Sequence, residues 1–460
     1  MLRLALATLL ASAALAQPIR LHPANAHYFE FRGKPTVLVT SGEHYGAVLN
    51  TAFDYRKYLD TLAADGLNYT RIFTGNYREN PGAFNIARNT LGPALEQFIA
   101  PWPRKGESFD LTQWNPAFFV RLKDFMTEAE KRGIVVEVTL FCPFYSDSMW
   151  PLSPMYRKDV PRTEVYTLKH AELQKLQETM VRKYVAELNG FDNFFWEIAN
   201  EPYFGGITLA WQRRIAEVIV DAERPLPKKH LIAQNIANNW ANVTDPDPNV
   251  SLFNFHYARP PLAVSRNWHL NKPIGYDETG FDGTADWIYR IQAWDFLLAG
   301  GALFNNLDYS FTVGHEDGTF AYPGTQPGGG SVAYRKQLAT LKRFMDSLDF
   351  VNMRPDPALV LDGPADASVR ALTQSDRAHA LYIHQGRVLA DHMPSYVVQN
   401  GRRQIVLALN LAKGVWRVQW LDPKTGKIDL ESTLEHPGGR AVLSSPEYRE
   451  DVALDLRRQP

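Results

Sequence analysis

Phe194-Phe195-Trp196-Glu197-Ile198-Ala199-Asn200-Glu201-Pro202 decides how this chain is read. The run from Phe194 to Ala199 is apolar except for Glu197, and it reads as a strand buried on both faces. Pro202 has no amide hydrogen to give to a ladder, so the strand ends there and leaves Glu201 at its C-terminal lip. In a parallel β/α barrel that lip is where side chains that do chemistry stand. Period-two alternation places Glu197, Ala199 and Glu201 on one face, here the barrel interior, with Glu197 ~13 Å deeper than Glu201. Glu197 is therefore expected to be a buried, hydrogen-bonded structural carboxylate, and Glu201 the working one.

Further along, Lys272-Pro273-Ile274-Gly275-Tyr276-Asp277-Glu278-Thr279-Gly280 repeats the design, a short strand ending in a glutamate before a glycine that opens a turn. The same alternation puts Ile274, Tyr276 and Glu278 on one face and points Asp277 at the helical shell. Two lip glutamates suit cleavage of a glycosidic bond, where one acid protonates the leaving oxygen and the other stabilises or attacks the anomeric carbon. Together with Asn200, they resemble the clan A glycoside hydrolases, the cellulase-like retaining enzymes of family five and their relatives, over roughly residues 35–350. The resemblance implies Glu201 as acid/base, Glu278 as nucleophile of a double displacement on a β-linkage, and Asn200 as a donor to the substrate 2-hydroxyl. It also implies an arginine near the nucleophile at the end of the second strand, the place of Arg71, whose guanidinium would keep that carboxylate ionised. It requires no metal and no organic cofactor, and the partner it implies is an oligo- or polysaccharide.

Clan A barrels carry a histidine and a tyrosine after strand six. Here His256 and Tyr257 are adjacent, cannot both face inward on a regular strand, and keep their roles open. The remaining lip positions are Glu43, His44 and Tyr45 after strand one, Asn235, Asn238, Asn239 and Trp240 at strand five, and Asn305, Asn306 and Tyr309 at strand eight. Family five cellulases offer a tryptophan near the last of these, so the sugar stays undetermined. His315, Glu316 and Asp317 lack a second ligand set and do not read as a metal site.

Around these motifs the chain alternates strands and helices as a (β/α)8 TIM barrel over residues 17–352. Tyr55, Tyr58, Leu59 and Leu62 recur at helical spacing before Gly66, and Trp287, Ile291, Trp294 and Leu298 form a second such stripe, expected as core. A helix is expected over 163–188, and residues 18–34 read as a hairpin covering the barrel floor. Long loops over 74–114, 143–154 and 314–331 favour a pocket over an open cleft, with Trp102 and Trp114 as candidate sugar platforms. From 353 to 460 the pattern changes to short alternating strands, with Asp422-Pro423-Lys424-Thr425-Gly426 as a hairpin turn. This reads as a small antiparallel β-sandwich, similar to the modules that follow the barrel in apiosidase-like hydrolases.

Composition bounds the partners. In 460 residues the formal charge is −1, which argues against nucleic acid and anionic membrane surfaces as binding partners. Residues 1–16 read as a signal peptide, with Arg3, an apolar run and Ala14-Leu15-Ala16, which makes the mature protein secreted or periplasmic; no later run is long enough to span a membrane. The single cysteine, Cys142, cannot form an intrachain disulfide and is expected to be buried. Rival readings are a transglycosidase on the same site, a barrel that binds glycans without turnover, and a protein-binding module.

Overall fold

Eight parallel strands form the centre of the computed structural model, which describes residues 17–388 and 396–460; the expected signal segment lies outside them. The strands are β1 (Leu38–Gly42), β2 (Tyr69–Phe73), β3 (Val135–Phe141), β4 (Phe194–Ala199), β5 (Ile232–Asn238), β6 (Leu252–His256), β7 (Ile274–Thr279) and β8 (Leu303–Leu307). They neighbour one another in the order β1-β8-β7-β6-β5-β4-β3-β2. Their residues are buried except at the end of β5, which suits the apolar runs of β3 and β4.

The barrel closes between β1 and β2 through a side chain. Asn68 Oδ1 accepts from the Val39 amide (2.9 Å), and its Nδ2 donates to the Val37 carbonyl (2.9 Å), so one carboxamide stands in for a pair of ladder bonds. Above it, the Tyr58 hydroxyl meets Thr70 Oγ1 at 2.8 Å and accepts from the Glu43 amide. Asn68→Ala strips partners from two buried backbone groups, and it is expected to cost roughly 1–3 kcal/mol, seen as a lower urea midpoint at unchanged slope.

The outer layer comprises α1 (Tyr55–Ala64), α2 (Pro116–Lys131), α3 (Ala171–Leu188), α4 (Leu209–Glu223), the short α5 (Leu262–Asn267), α6 (Asp286–Leu298) and α7 (Val332–Asp346). Asp54, Asn115, Thr208 and Ser331 cap α1, α2, α4 and α7, each accepting from amides in the first turn. The stripe of α1 is buried as its spacing requires. Two expectations need correcting. α3 starts at Ala171, because Arg162–Glu164 forms a separate 3-10 turn ahead of it. Ile291, Trp294 and Leu298 of α6 are core, but Trp287, in the first turn of the helix, is exposed.

The floor is covered by a three-stranded meander, Arg20–His22, Asn25–Phe31 and Lys34–Thr36, rather than a simple hairpin. Phe29 stacks on Phe195 of β4, and Arg32 pairs with Asp192 just before that strand at 3.0 Å.

The C-terminal part is an antiparallel β-sandwich. A six-stranded sheet faces a three-stranded one made of Val360–Asp362, Val406–Leu411 and Gly439–Ser444. Leu381, Ile383, Trp416, Trp420, Leu407 and Leu454 fill the space between them. The other face of the large sheet lies on α6: alternation turns Tyr382 away from Leu381 and Ile383, and it stacks on Trp294 at 5.4 Å between centroids. Arg290 of α6 grips Asp451 with two bonds (2.9 and 2.7 Å), and Arg370 reaches Asp295 (2.7 Å). The Asp422–Gly426 turn forms as its residues dictate, with Gly426 at φ +76°.

Candidate active site

The end of β4 delivers Asn200 and then Glu201, whose backbone sits at φ +34°, a conformation that non-glycine residues rarely hold and that gathers at working sites. The turn lifts the carboxyl into a cavity above the barrel, where it accepts from Tyr145 (2.5 Å) and Tyr203 (3.3 Å) and stands 3.2 Å from His256 Nδ1. Tyr145 comes from the loop after β3 and also accepts from Asn200 Nδ2 at 2.8 Å. The Asn200 oxygen accepts from Arg71 Nη2 at 2.8 Å, which fixes the orientation of the carboxamide.

Glu278 faces Glu201 across the cavity. Its two oxygens accept from Tyr45 (2.7 Å) and Tyr257 (2.8 Å), with Arg71 Nη1 at 3.5 Å and His256 Nδ1 at 3.3 Å. An oxygen of each glutamate and a nitrogen of His256 lie within 4.8 Å of one another.

The alternation argument fails on β7, for a visible reason. Tyr276 donates to Gln292 on α6 (2.7 Å), so it is Tyr276 that faces the shell, while Asp277 points inward, 3.5 Å from His256 Nε2 and 3.6 Å from Arg71. The register with β6 steps from Phe255↔Tyr276 to His256↔Glu278, which leaves Asp277 as a bulge and lets two successive carboxylates reach the interior. A similar break resolves His256 and Tyr257. Tyr257 adopts φ +49°, its amide donates to the Glu278 carbonyl (3.0 Å), and both side chains reach Glu278.

Beneath the cavity lies a buried charge cluster. Arg71 donates to Glu197 from Nε (3.1 Å) and Nη2, and to Thr139 (3.0 Å), with Glu137 at 3.9 Å. Burial alone would raise Glu278, but the charge and hydrogen bond of His256, then Arg71 and the Tyr45 hydroxyl, hold it well below the usual carboxylate range. Asp277 is likewise lowered, by His256 and Arg71 against its burial. Burial pushes Glu137 well up, with Glu197 and Asp277 adding to it, and burial raises Glu197 despite Arg71. Desolvation would lower His256, but Glu278 and Asp277 outweigh it and raise it well above the imidazole norm. Arg71 and His256 thus face four buried carboxyl groups, of which Asp277 and Glu278 are lowered and Glu137 and Glu197 raised. His256→Gln removes the chief group that keeps Glu278 low, and the Glu278 carboxyl, followed by carbon-13 NMR, is expected to titrate closer to the ordinary carboxylate range.

The remaining expected residues divide between cavity and support. His44 lines the cavity, 3.4 Å from Glu79, with Tyr309 tilted against it at 5.8 Å. Asn235 and Asn305 differ from their expected place at the lip. They sit below it and hold Asp277, Asn235 through a carboxylate oxygen (3.5 Å) and Asn305 through the backbone carbonyl (2.9 Å). β5 runs on to Asn238, and that residue reaches the cavity in place of Asn235. Trp102 and Trp114 are not platforms: they stack on each other at 5.5 Å, with Trp102 in the core. Cys142 is buried and free at the cavity floor.

Tyr45 and Tyr145 stand where the sequence puts them, at the lip of β1 and in the loop after β3, whereas Glu79, Phe84 and Tyr203 were not singled out by the sequence, although Tyr203 follows Glu201-Pro202 directly. Among the described residues two groups could offer three ligand atoms to a metal, Glu201/His256/Glu278 and Glu137/Glu197/Asp277. Arg71, His256 and tyrosine hydroxyls already face these oxygens, so the positions a cation would take are filled by positive charge and donors of the protein itself. His315 and Asp317 share the Thr319 hydroxyl, Asp317 also pairs with Lys57, and Glu316 turns away to accept from the Asp54 and Gly314 amides.

No helix among the described residues is long and apolar enough to cross a membrane. No protein-family model and no curated protein sequence matches the chain. Solved structures do. One described as a glycoside hydrolase is 13% identical, covers 96% of this chain and 97% of its own, and has a TM-score of 0.64. A glycoside hydrolase family 5 protein from Bacteroides vulgatus is also 13% identical, with 96% and 93% covered and a TM-score of 0.63. At that identity the likeness is one of fold, and its coverage takes in the C-terminal sandwich together with the barrel.

Proposed function

We propose that this protein is a retaining glycoside hydrolase that cleaves β-linked sugars, with Glu278 as nucleophile and Glu201 as acid/base. The observation that carries the reading is the pair of facing carboxyl groups, close enough that one atom, His256 Nδ1, stands 3.2 Å from Glu201 and 3.3 Å from Glu278. Retaining enzymes hold their two carboxyls ~5–5.5 Å apart, whereas inverting enzymes leave ~6.5–9.5 Å for a water. The fold shared with solved glycoside hydrolases supports it further.

In the first step Glu278 attacks the anomeric carbon while Glu201 gives its proton to the leaving oxygen. His256 and Arg71 keep Glu278 anionic for the attack, and the Tyr45 and Tyr257 hydroxyls aim its two oxygens. In the second step Glu201, now a base, takes a proton from water, which attacks the anomeric carbon and releases Glu278. Asn200, whose oxygen accepts from Arg71, would turn an Nδ2 hydrogen from its protein partners to the 2-hydroxyl of the reacting sugar, a contact that strengthens in the transition state. Export by the signal segment would bring this chemistry to sugars outside the cytoplasm.

The test is sugar release from a broad panel of β-linked polysaccharides, oligosaccharides and aryl glycosides. Hydrolysis of one class supports the reading. Measurable glycan affinity with no release from any member would move it to a non-catalytic binding barrel.

A further inference from the structure

The loop over residues 74–114 is built as a wall. Thr90 Oγ1 donates to Glu43 at 2.5 Å, Asn50 donates to the Thr90 carbonyl at 3.1 Å, and the Glu79 amide donates to the Leu91 carbonyl at 3.0 Å. On one flank Asn80 bonds Ser148 of the loop after β3 (3.2 Å). On the other, the Ala87 amide and Asn85 Nδ2 donate to Gln326 (3.0 Å) and the Thr325 carbonyl (3.1 Å) of the loop after β8, and Arg88 lies over Phe320 at 5.0 Å. The lips of β8, β1, β2 and β3 therefore carry one continuous barrier. The cavity it bounds holds about 190 Å³, below the ~300–1,000 Å³ of sites for drug-sized ligands, and suits a single sugar ring.

The mouth is rimmed on the Glu201 side by two exposed aromatic side chains, Phe204 (43% exposed) and Tyr203 (37%), while Phe84 stands on the wall, edge-on to Tyr145. Glu201 has to protonate the leaving oxygen, so the leaving group lies on this open, aromatic side, where rings can cover sugar faces. The sugar transferred to Glu278 then lies against the wall. There Glu79, 3% exposed, lines the cavity beside His44 (3.4 Å), held by Asn89 (2.5 Å) and Tyr77 (3.3 Å). A carboxylate acceptor next to an imidazole donor suits neighbouring hydroxyls of a neutral sugar, and a uronic acid would bring a second carboxyl group against Glu79.

We infer that the enzyme is exo-acting: it removes single neutral glycosyl units from non-reducing ends, with Glu79 and His44 gripping their hydroxyls. This rests on the hydrolase reading. The experiment follows wild-type enzyme on 4-nitrophenyl β-glycosides of neutral monosaccharides, disaccharides and uronic acids, and on reducing-end-labelled oligosaccharides of whichever sugar is cleaved. The expected result is nitrophenol from a neutral monoglycoside, not from the uronides, with labelled chains shortening by one unit at a time. Internal fragments, or release from disaccharide glycosides alone, would overturn the inference and leave the hydrolase reading standing. No hydrolysis of any substrate would overturn both. Glu79→Ala is expected to raise KM roughly tenfold or more through lost hydrogen bonds to the sugar, with the pH profile of kcat unchanged and partial recovery in Glu79→Gln. An unchanged KM in Glu79→Ala would remove Glu79 from the grip.

Discussion

Glu278→Ala is expected to lower kcat on the order of 10⁴-fold or more while leaving substrate affinity measurable, because the covalent step loses its nucleophile and the rest of the cavity persists. The variant keeps Asp277 within reach of Arg71 and His256, so the buried cations retain a carboxylate partner and the fold is expected to survive. The space vacated by the carboxyl lies between the Tyr45 and Tyr257 hydroxyls and can admit a small anion. Added azide is therefore expected to restore turnover of an activated aryl glycoside, giving a glycosyl azide of inverted configuration. A variant that hydrolyses at near wild-type rate would remove Glu278 from the mechanism.

Arg71→Met is the second large effect. Arg71 is wholly buried and stands within ion-pair distance of Glu137, Glu197, Asp277 and Glu278, so its removal leaves buried carboxylates facing one another with only His256 opposite. Breaking a buried pair from one side costs about 3–5 kcal/mol, and urea unfolding at neutral pH is expected to show a loss of that size. The pH dependence has a definite sign. Asp277 and Glu278 are lowered in the folded protein, so their contribution is fully present above their unfolded values, about pH 4–4.5, and fades as the pH falls through their folded ones. The gap between wild type and Arg71→Met should therefore be widest above about pH 5 and narrow in acid. A gap that stays constant with pH would show that Arg71 acts through packing alone.

Much of this arrangement is written locally in the chain. The apolar run ending in Asn200-Glu201-Pro202 makes β4 and its lip legible, because proline stops a ladder whatever surrounds it. The Tyr55–Leu62 stripe and the Asp422–Gly426 turn are legible for similar reasons, since spacing and proline–glycine chemistry act over a few residues. What escaped the sequence depends on partners distant in the chain. The Asp277 bulge is a mismatch between the registers of β6 and β7, and no residue type at 277 announces it. Tyr257 turns into the left-handed region because its amide is drawn to the Glu278 carbonyl. Asn235 and Asn305 were placed a layer too high because strand ends are set by pairing, and β5 pairs with β6 as far as Asn238. The wall formed by the long loops was foreseen only as length, since its bonds join residues 85 and 87 to residues 325 and 326.

On the proposed double displacement, Glu278 forms a covalent glycosyl intermediate that water then releases with Glu201 as base. Time-resolved proton NMR of the anomeric signals during hydrolysis of a β-glycoside tests it most directly. The account predicts that the β-anomer of the released sugar appears first and converts to the α-anomer only at the rate of spontaneous mutarotation. First appearance of the α-anomer would mean single displacement by water, and it would contradict both the nucleophile assignment and the reading of the close carboxyl pair.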